Sequence, residues 1–411
     1  MKKILFYCQY HLGMGHLVRS VEILRSLATE FEICFVKGGT EVEGLDLAVN
    51  VQVVTLPTLL SEHRQLKVAD PSQDLETVKQ QRAIALLNIF DEFKPDCLII
   101  EGYPFKKYQF EFESIPLLER VKAAQRDIKV VCSLRDVVMA QPYLDRDEVI
   151  ATTCDRLNRY FDLLLIHSDP QFHRLEESFS AVDDIKCPIQ YTGFVAQSLT
   201  VSSTRTEEDA IDLARTNPTI LISVGGGQLG HNLLNTAVAA SLLLAERLPR
   251  YHLQVFTGPF IPIDLFESLA TAAKGQTNLT LRKFTTQFLS YMKQSKLSVS
   301  LGGYNTTMNI LRTGVNSMIL PSNKDWEQTV RAEKLEKMGL LTMLQPEDLQ
   351  PERFADRIVG AIESERISTF SKSFDLDGAE KTKVMLRNLL APLTPPPIEI
   401  GASGTKSAYA D

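Results

Sequence analysis

Paired cysteines, long apolar runs and an excess of basic charge are all missing from this sequence. Its 411 residues include six cysteines, none in a C-x-x-C pair, so we interpret them as small buried residues of a reducing compartment and not as disulfides or a zinc site. No apolar run reaches the roughly 18 residues that a membrane-spanning helix needs. The apolar run near Met1 is too short for a signal peptide. We therefore expect a cytoplasmic protein with no transmembrane segment.

The charge balance excludes a further class of function. Lysine and arginine number 44 against 51 aspartates and glutamates, a formal net charge of −7, whereas proteins that bind nucleic acid usually present a basic face. The hydrophobic content of 44% is typical of globular chains, and the length suits two domains of roughly 200 residues each. We therefore expect a globular protein with no nucleic-acid partner. Nothing in the sequence indicates its oligomeric state.

The first half of the chain alternates apolar strand-like runs with amphipathic helical runs. The strand-like runs are almost continuously apolar, which is typical of strands buried on both faces of a parallel sheet. Predicted strands lie at 4–8, 32–36, 51–56, 96–100, 129–134 and 163–167, and predicted helices at 17–29, 72–93 and 115–125. This alternation predicts a first domain over residues 1–196 with a doubly wound parallel sheet.

A second alternation follows a linker over 197–217 that is rich in Ser, Thr and charge. It predicts a second α/β domain over 218–372 with a similar parallel sheet. Predicted strands lie at 219–224, 252–257, 279–282, 297–301 and 317–320, and predicted helices at 231–248 and 306–313. Residues 373–390 contain a terminal helix that we expect to pack back towards the first domain, and the tail 391–411 is predicted to be disordered. Two such domains enclose a cleft, where ligands commonly bind.

One glycine turn follows the first predicted strand. Gly13 and Gly15 allow a close backbone approach between the strand and a helix, and His16 stands at the first turn of that helix, where its ring can face the cleft. The positive end of the helix disfavours an imidazolium, which suits a general base. The alternative is a tight turn with a capping or packing histidine. Val18 replaces the third glycine of a dinucleotide fingerprint, which excludes NAD binding here.

Two more glycine turns follow strands of the second half, at 225–227 and 302–303. Backbone N–H groups of such turns cradle phosphates, and Thr306 and Thr307 can add hydroxyls, so the pair suits a diphosphate. Flexible turns and simple helix capping are the alternatives. No P-loop motif is present. Further along, Glu327 and Gln328 open a helix and can bond to sugar hydroxyls, unless they are only a solvated helix start.

These turns, with the stretches GGYNTT and WEQTVRAEKLEKMG, resemble the GT-B glycosyltransferases of family 28, and among them a bacterial branch of predicted glycosyltransferases. The resemblance implies two Rossmann-like domains facing a cleft. It implies inverting, metal-independent transfer from a nucleotide sugar, UDP-sugar favoured, with no cofactor. The donor would bind the C-terminal half, and a small-molecule or lipid acceptor the N-terminal half. The alternatives are a nucleotide-sugar 2-epimerase or hydrolase on the same fold, and a non-catalytic nucleotide-sugar binding protein.

The resemblance also assigns roles to particular residues. Asn309 stands where the family usually has a glutamate that holds the ribose, so a charge-assisted contact is lost. The implied donor-binding residues are Gly226, Gly227, Phe284, Gly303, Tyr304, Asn305, Thr306, Thr307, Asn309, Glu327 and Gln328. The acceptor side would include Gly13, Gly15 and Arg135. His16 is the candidate base, and Glu101 and Asp136 are further candidate acids or bases that follow strands, unless each is only a structural ion-pair partner.

Overall fold

The structure is a computed structural model, and it describes residues 1–10, 15–39, 47, 50–62, 65–138, 146–198, 205–322, 326–364 and 374–392. Three parts of the sequence predictions lie outside these residues: Gly13, residues 199–204 of the predicted linker, and the tail from residue 393. Within them, the chain forms two α/β units, each built on its own parallel sheet.

The first sheet has seven parallel strands in the order β3-β2-β1-β6-β7-β8-β9. Its strands are β1 (Lys3–Gln9), β2 (Glu32–Gly38), β3 (Val51–Thr55), β6 (Cys97–Glu101), β7 (Lys129–Arg135), β8 (Leu163–His167) and β9 (Ile189–Tyr191), and a separate antiparallel hairpin is formed by β4 (Leu59–Glu62) and β5 (Gln65–Val68). The accompanying helices are α1 (Gly15–Leu27), α2 (Leu75–Phe93), α3 (Glu111–Ala123) and α4 (Arg146–Tyr160). Apolar clusters cover both faces of the sheet, which is why its central strands are almost continuously apolar.

The second sheet has six parallel strands in the order β12-β11-β10-β13-β14-β15. Its strands are β10 (Thr219–Ser223), β11 (His252–Phe256), β12 (Leu279–Arg282), β13 (Leu297–Leu301), β14 (Ser317–Leu320) and β15 (Thr342–Met343). Its helices are α5 (Glu207–Leu213), α6 (His231–Ala239), α7 (Ser241–Arg247), α8 (Ile263–Ala273), α9 (Phe288–Gln294), α10 (Tyr304–Thr313), α11 (Trp326–Lys337) and α12 (Pro351–Glu363), and α13 (Gly378–Leu389) follows near the C-terminus.

Two chain segments cross between the units and pair with each other. The Phe194 N–H donates to the Asp375 carbonyl at 2.7 Å, and the Gly378 N–H donates to the Phe194 carbonyl at 2.9 Å. A Cβ on Gly378 would lie 2.6 Å from the Gly193 carbonyl oxygen, so glycine is needed for this close crossing. Beyond the crossing, α13 packs against α1 of the first unit.

The predicted doubly wound parallel sheets and the GT-B architecture are confirmed. The predicted helix over 231–248 is two helices, α6 and α7, which meet at Ala240. The antiparallel pair β4–β5, the short strands β9 and β15 and helices α4, α5, α8, α9 and α12 are absent from the predictions. Helix α5 lies inside the predicted linker 197–217, and its Asp209 accepts from the Thr285 and Tyr291 hydroxyls, so this part of the linker is a packed helix of the second unit. The buried face of α4 includes Thr153 and Cys154, so strongly apolar residues do not recur regularly at helical spacing in this segment. All six cysteines are free and buried, as predicted.

In the part of the chain that the structure describes, no helix is both long enough and apolar enough to span a membrane.

Candidate active site between the two sheets

Both sheets reverse their strand order at their centre, and both reversal points carry predicted site residues. In the first sheet, β1 lies beside β6, while β2, the next strand in the chain, lies on the other side of β1. In the second sheet, β10 and β13 form the equivalent pair. Ligands of doubly wound sheets bind beyond the carboxyl ends of the strands at such switch points. His16 and Glu101 lie at the first of these points, and the turns at 225–227 and 302–303 lie at the second.

His16 and Glu101 form a hydrogen-bonded pair. The His16 Nδ1 atom is 2.7 Å from a Glu101 carboxylate oxygen, and the imidazole remains 19% exposed. A carboxylate facing Nδ1 favours the tautomer with its proton on that nitrogen, which leaves the Nε2 lone pair to accept a proton. Burial lowers the pKa of His16 to about 3, although Glu101 opposes this shift. The ring is therefore neutral at physiological pH, as a base must be.

Two cations complete the surroundings of Glu101. The Arg19 guanidinium and the Lys107 ammonium both bond to its carboxylate, and Lys107 also donates to the Gln9 carbonyl. Burial alone would raise the pKa of Glu101, but His16, Lys107 and Arg19 together hold it well below its usual range. Glu101 is therefore a permanent carboxylate that orients His16 and stabilises a positive charge on its ring.

The second switch point contacts the first directly. The Asn305 amide on the first turn of α10 donates to the Gly15 carbonyl at 3.0 Å, so the predicted donor turn reaches the residue before His16. The Tyr304 hydroxyl bonds to the His167 carbonyl and accepts from the Val195 N–H, both at 3.0 Å. Its side chain therefore joins the two units instead of facing open solvent, and its predicted contact with the donor stays a prediction.

The glycines of the donor turns have different surroundings. A Cβ on Gly227, where φ is +91°, would lie 2.6 Å from the Thr257 carbonyl oxygen, so this glycine is required by packing against the next loop. Among the described residues, nothing lies within 4 Å of a Cβ position on Gly303, at the start of α10. Packing among these residues therefore does not require a glycine at 303, while the 225–227 turn is braced from behind, with the Phe260 N–H bonded to the Gly226 carbonyl.

Asp136 forms a buried ion pair across the interface. Its two oxygens accept from the Arg331 guanidinium at 2.6 and 2.8 Å, and both side chains are almost completely buried. Burial would raise the pKa of Asp136, but Arg331 lowers it to about 2. A carboxylate held in this way is a poor acid or base. The geometry therefore favours the structural pairing that the sequence left open for Asp136.

Other predicted donor residues are partly occupied by protein contacts. The Asn309 amide donates to the Gln197 side chain at 2.6 Å, and its Oδ1 atom is buried with no hydrogen-bond partner among the described residues. The Thr307 hydroxyl donates to the Gly303 carbonyl at 3.0 Å. Thr306 and Phe284 are half-buried.

Glu327 and Gln328, the predicted sugar-binding pair, open α11 opposite the end of β7. An oxygen of Glu327 lies 2.6 Å from an Arg135 guanidinium nitrogen, and the Lys106 ammonium bonds to the same carboxylate. The Gln328 side-chain oxygen accepts from the Ser322 N–H at 3.1 Å. The structure thus brings the predicted acceptor-side Arg135 and the predicted donor-side Glu327 into one ion cluster.

The metal independence implied by the resemblance stays a prediction, and two sequence motifs bear on it. Two D-x-D triplets, a pattern that some glycosyltransferases use for metal binding, occur at 145–147 and 375–377. Asp375 pairs with Lys381, and Asp377 pairs with Arg312, so both carboxylates of the second triplet are ion-paired at the segment crossing. Asp145 lies outside the described residues. Among the described residues, no three His, Cys, Asp or Glu side chains are grouped to hold a metal ion.

Four functional candidates were not predicted from the sequence. Arg19, Lys107, Lys106 and Arg331 become visible only as ion-pair partners of the predicted residues. The sequence did carry a signal for Arg19 and Lys107, because each lies a few residues after a strand and the turn that follows it. Arg331 lies one helical turn after Glu327, which places both on the same face of α11.

Comparisons with known proteins place the second unit in a family. Residues 220–381 match the glycosyltransferase family 28 C-terminal domain. An uncharacterised glycosyltransferase of Methanopyrus kandleri is 28% identical over 147 residues, which is 35% of this chain and 38% of that protein. The chain thus spans well under half the length of this curated relative.

Solved structures share the fold of the whole chain. A UDP-glucosyltransferase from Polygonum tinctorium, capable of glucosylating indoxyl, has a TM-score of 0.65 at 12% identity, covering 95% of this chain and 98% of its own. A putative UDP-N-acetylglucosamine 2-epimerase from Listeria monocytogenes has a TM-score of 0.61 at 12% identity, covering 94% and 96%. At such identities, these structures establish the fold alone. Residues 220–381 thus resemble a family 28 C-terminal domain, and the two facing parallel sheets have the GT-B fold.

Proposed function

We propose that this protein transfers a sugar from a nucleotide diphosphate sugar, with a UDP-sugar favoured, to a hydroxyl group of an acceptor, and that the anomeric centre is inverted. One observation carries the proposal. The His16–Glu101 pair lies at the switch point of the first sheet, and the Gly15–Asn305 contact joins it to the first turn of α10. A neutral base and a phosphate-binding helix start therefore lie against each other.

The reaction needs a single displacement. The His16 Nε2 atom takes the proton of the acceptor hydroxyl while that oxygen attacks the anomeric carbon from the face opposite the nucleotide. The bond from this carbon to the diphosphate oxygen breaks, and its electron pair leaves with the diphosphate. Attack from the opposite face inverts the centre. The proton ends on His16, and Glu101 stabilises the resulting imidazolium. The His16 ring has a low pKa in the ligand-free protein, and it becomes more basic as charge develops during the reaction.

The departing diphosphate is stabilised by the protein without a metal ion. At the contact between the units, five cationic side chains face three carboxylates: Arg19, Lys106, Lys107, Arg135 and Arg331 against Glu101, Asp136 and Glu327. Among these eight described side chains, cations outnumber carboxylates by two when His16 is neutral. The N-terminus of α10 and the N–H groups of the turn at 225–227 add partial positive charge from the second sheet. A leaving diphosphate matches this surplus.

The acceptor is proposed to be a small molecule or a lipid with a free hydroxyl, bound on the first unit beside His16. The Polygonum enzyme, whose name gives a small aromatic acceptor, supports the small-molecule alternative through its shared fold.

A ligand screen followed by product analysis tests the proposal. UDP, TDP, GDP and ADP should each be compared with the matching monophosphate in thermal unfolding, and at least one diphosphate should raise the melting temperature while its monophosphate does not. The corresponding nucleotide sugar, with an acceptor panel, should then yield a glycoside of inverted anomeric configuration by NMR. If no nucleotide diphosphate stabilises the protein, the proposal is wrong.

The rival activity is epimerisation or hydrolysis of the same donor, and the fold shared with the putative epimerase supports it. These reactions need no acceptor. If product forms at the same rate with and without acceptor, as a changed sugar or as free sugar with free nucleotide, the rival is favoured. Tight nucleotide binding with no turnover would instead indicate a non-catalytic binding protein.

A further inference from the structure

The loop after β6 folds back, so that one of its lysines returns to the carboxylate at the end of this strand. The Lys107 side chain is only 7% exposed, and its ammonium bonds to Glu101. The same ammonium donates to the Gln9 carbonyl at the end of β1, the strand that pairs with β6. The lysine stem passes Gly102, where a Cβ position would lie 3.5 Å from the Lys107 Cε atom. Lys107 therefore joins the carboxyl ends of two neighbouring strands next to the proposed base.

The backbone at Lys107 is left-handed, with a φ of +70°. Residues that carry a Cβ rarely take this conformation, because the Cβ crowds the following carbonyl oxygen. Among the described residues, Lys94 is the other non-glycine with a positive φ, +54°, but it is the exposed C-cap of α2, where left-handed residues are common. Lys107 ends no α-helix, and such strain persists only where the surroundings enforce it, often at functional sites. The contacts of the buried ammonium with Glu101 and Gln9 supply that enforcement here.

The two oxygens of Glu101 are divided among three partners. Its Oε1 atom lies 2.7 Å from the His16 Nδ1 atom and also accepts from Arg19, whereas its Oε2 atom accepts from Lys107. Arg19 uses one nitrogen for this contact, and its Nε and Nη1 atoms are buried with no hydrogen-bond partner in the described part of the chain. Arginine binds a carboxylate most strongly through two parallel bonds. Without Lys107 on Oε2, Arg19 would be free to take both oxygens and turn the carboxylate away from His16.

We propose that Lys107 is a positioning residue for the base: it holds Glu101 with one oxygen facing His16, and it limits Arg19 to a single bond. The inference rests on the proposed function and deepens it by adding a residue that acts on the base through Glu101. Burial lowers the pKa of His16 most, Glu101 raises it, and Lys107 and Arg135 lower it. The Lys107 ammonium therefore also helps to keep the ring neutral and ready to accept a proton.

Nitrogen NMR of the full chain, with isotope-labelled histidine, tests the inference without any substrate. In the native chain, the His16 ring should carry its proton on Nδ1 alone, because Glu101 accepts there; the signals that vanish in His16→Gln identify this ring. Lys107→Met keeps the length of the side chain but removes the ammonium, so Glu101 turns to Arg19 and His16 should show a mixture of both tautomers. Lys94→Met is the matched control, with the same backbone conformation at an exposed site, and should leave the His16 signals unchanged.

A second substitution separates positioning from a structural role. Lys107→Gly also removes the ammonium, but it relaxes the left-handed backbone, so it keeps the test open if the methionine variant does not fold. It should change the His16 signals as Lys107→Met does. If Lys107 only shapes the loop, the glycine variant should instead keep the native tautomer. A native His16 spectrum in either folded variant overturns the inference.

Kinetics and UDP binding in the same series keep this inference separate from the proposed function. In Lys107→Met, kcat should fall about 10–100-fold because the base is misplaced, while the dissociation constant for UDP stays that of the native chain. An equal loss of UDP affinity would mean that Lys107 acts on the donor site, which contradicts the inference. If no nucleotide diphosphate binds the native chain, the proposed function fails, whereas the His16 spectra still decide whether Lys107 positions Glu101.

Discussion

The two switch points face each other and carry different kinds of chemical groups. At the first sheet, ionisable side chains are gathered around one buried carboxylate: His16, Arg19 and Lys107 all contact Glu101. At the second sheet, the corresponding position offers glycine turns, the start of α10 and neutral side chains such as Asn305. The first arrangement suits proton transfer, and the second suits binding of a diphosphate through backbone groups. In the proposed function, proton transfer and donor binding are divided between the units, and this division can be tested from either side.

The largest effect is expected at the ionisable side. His16→Ala removes the proposed base, and we expect kcat to fall by about 10²–10⁴-fold, the usual contribution of a general base, while the dissociation constant for UDP changes little. Steady-state kinetics and calorimetry measure the two quantities. His252→Gln is the matched control, because this buried histidine bonds to Thr280 on the far side of the second sheet. Full activity in His16→Ala would remove His16 as the base.

The next effect concerns how the two sides are held together. Asp136→Asn leaves the buried Arg331 guanidinium without its charge partner, and we expect a loss of about 3–5 kcal/mol in the free energy of unfolding. Asp91→Asn is the control, since Asp91 and Arg120 form an exposed pair at 3.4 Å, and exposed pairs contribute only about 0–1 kcal/mol. Urea unfolding followed by circular dichroism measures both. Equal losses in the two variants would mean that the pair across the interface stabilises the protein no more than an exposed pair does.

The sequence could not predict these networks of ion pairs. Apolar periodicity was enough to predict the two sheets, because strands buried on both faces are almost continuously apolar. Position after a strand was enough to single out His16, Glu101 and Asp136. It could not separate Glu101, which bonds to His16, from Asp136, which bonds to Arg331. That distinction depends on a partner nearly 200 residues away, and no local pattern encodes it.

Two glycines of the second switch point are expected to have different roles, one in stability and one in ligand binding. Gly227→Ala puts a Cβ against the Thr257 carbonyl at a φ of +91°, and we expect a loss of about 1–3 kcal/mol in the free energy of unfolding. Gly303→Ala meets nothing within 4 Å and has an ordinary φ of −61°, so its stability should change by less than about 1 kcal/mol. If Gly303 approaches the diphosphate, its variant should still bind UDP about tenfold more weakly. Normal UDP binding by Gly303→Ala would take this turn out of the donor site.

The smallest effect tests whether the second switch point binds its ligand with neutral groups alone. The resemblance places Asn309 where the family usually has a glutamate, and its Oδ1 atom is buried with no hydrogen-bond partner in the described part of the chain. Asn309→Glu should tighten UDP binding by up to about tenfold, since a carboxylate makes stronger hydrogen bonds to ribose hydroxyls than an amide does. Asn309→Asp keeps the charge but shortens the reach, so it should gain less. The gain should also shrink with 2′-deoxy-UDP, which lacks one of these hydroxyls. If the glutamate variant binds both nucleotides as the native chain does, residue 309 does not contact the ribose, and its bond to Gln197 is its whole role.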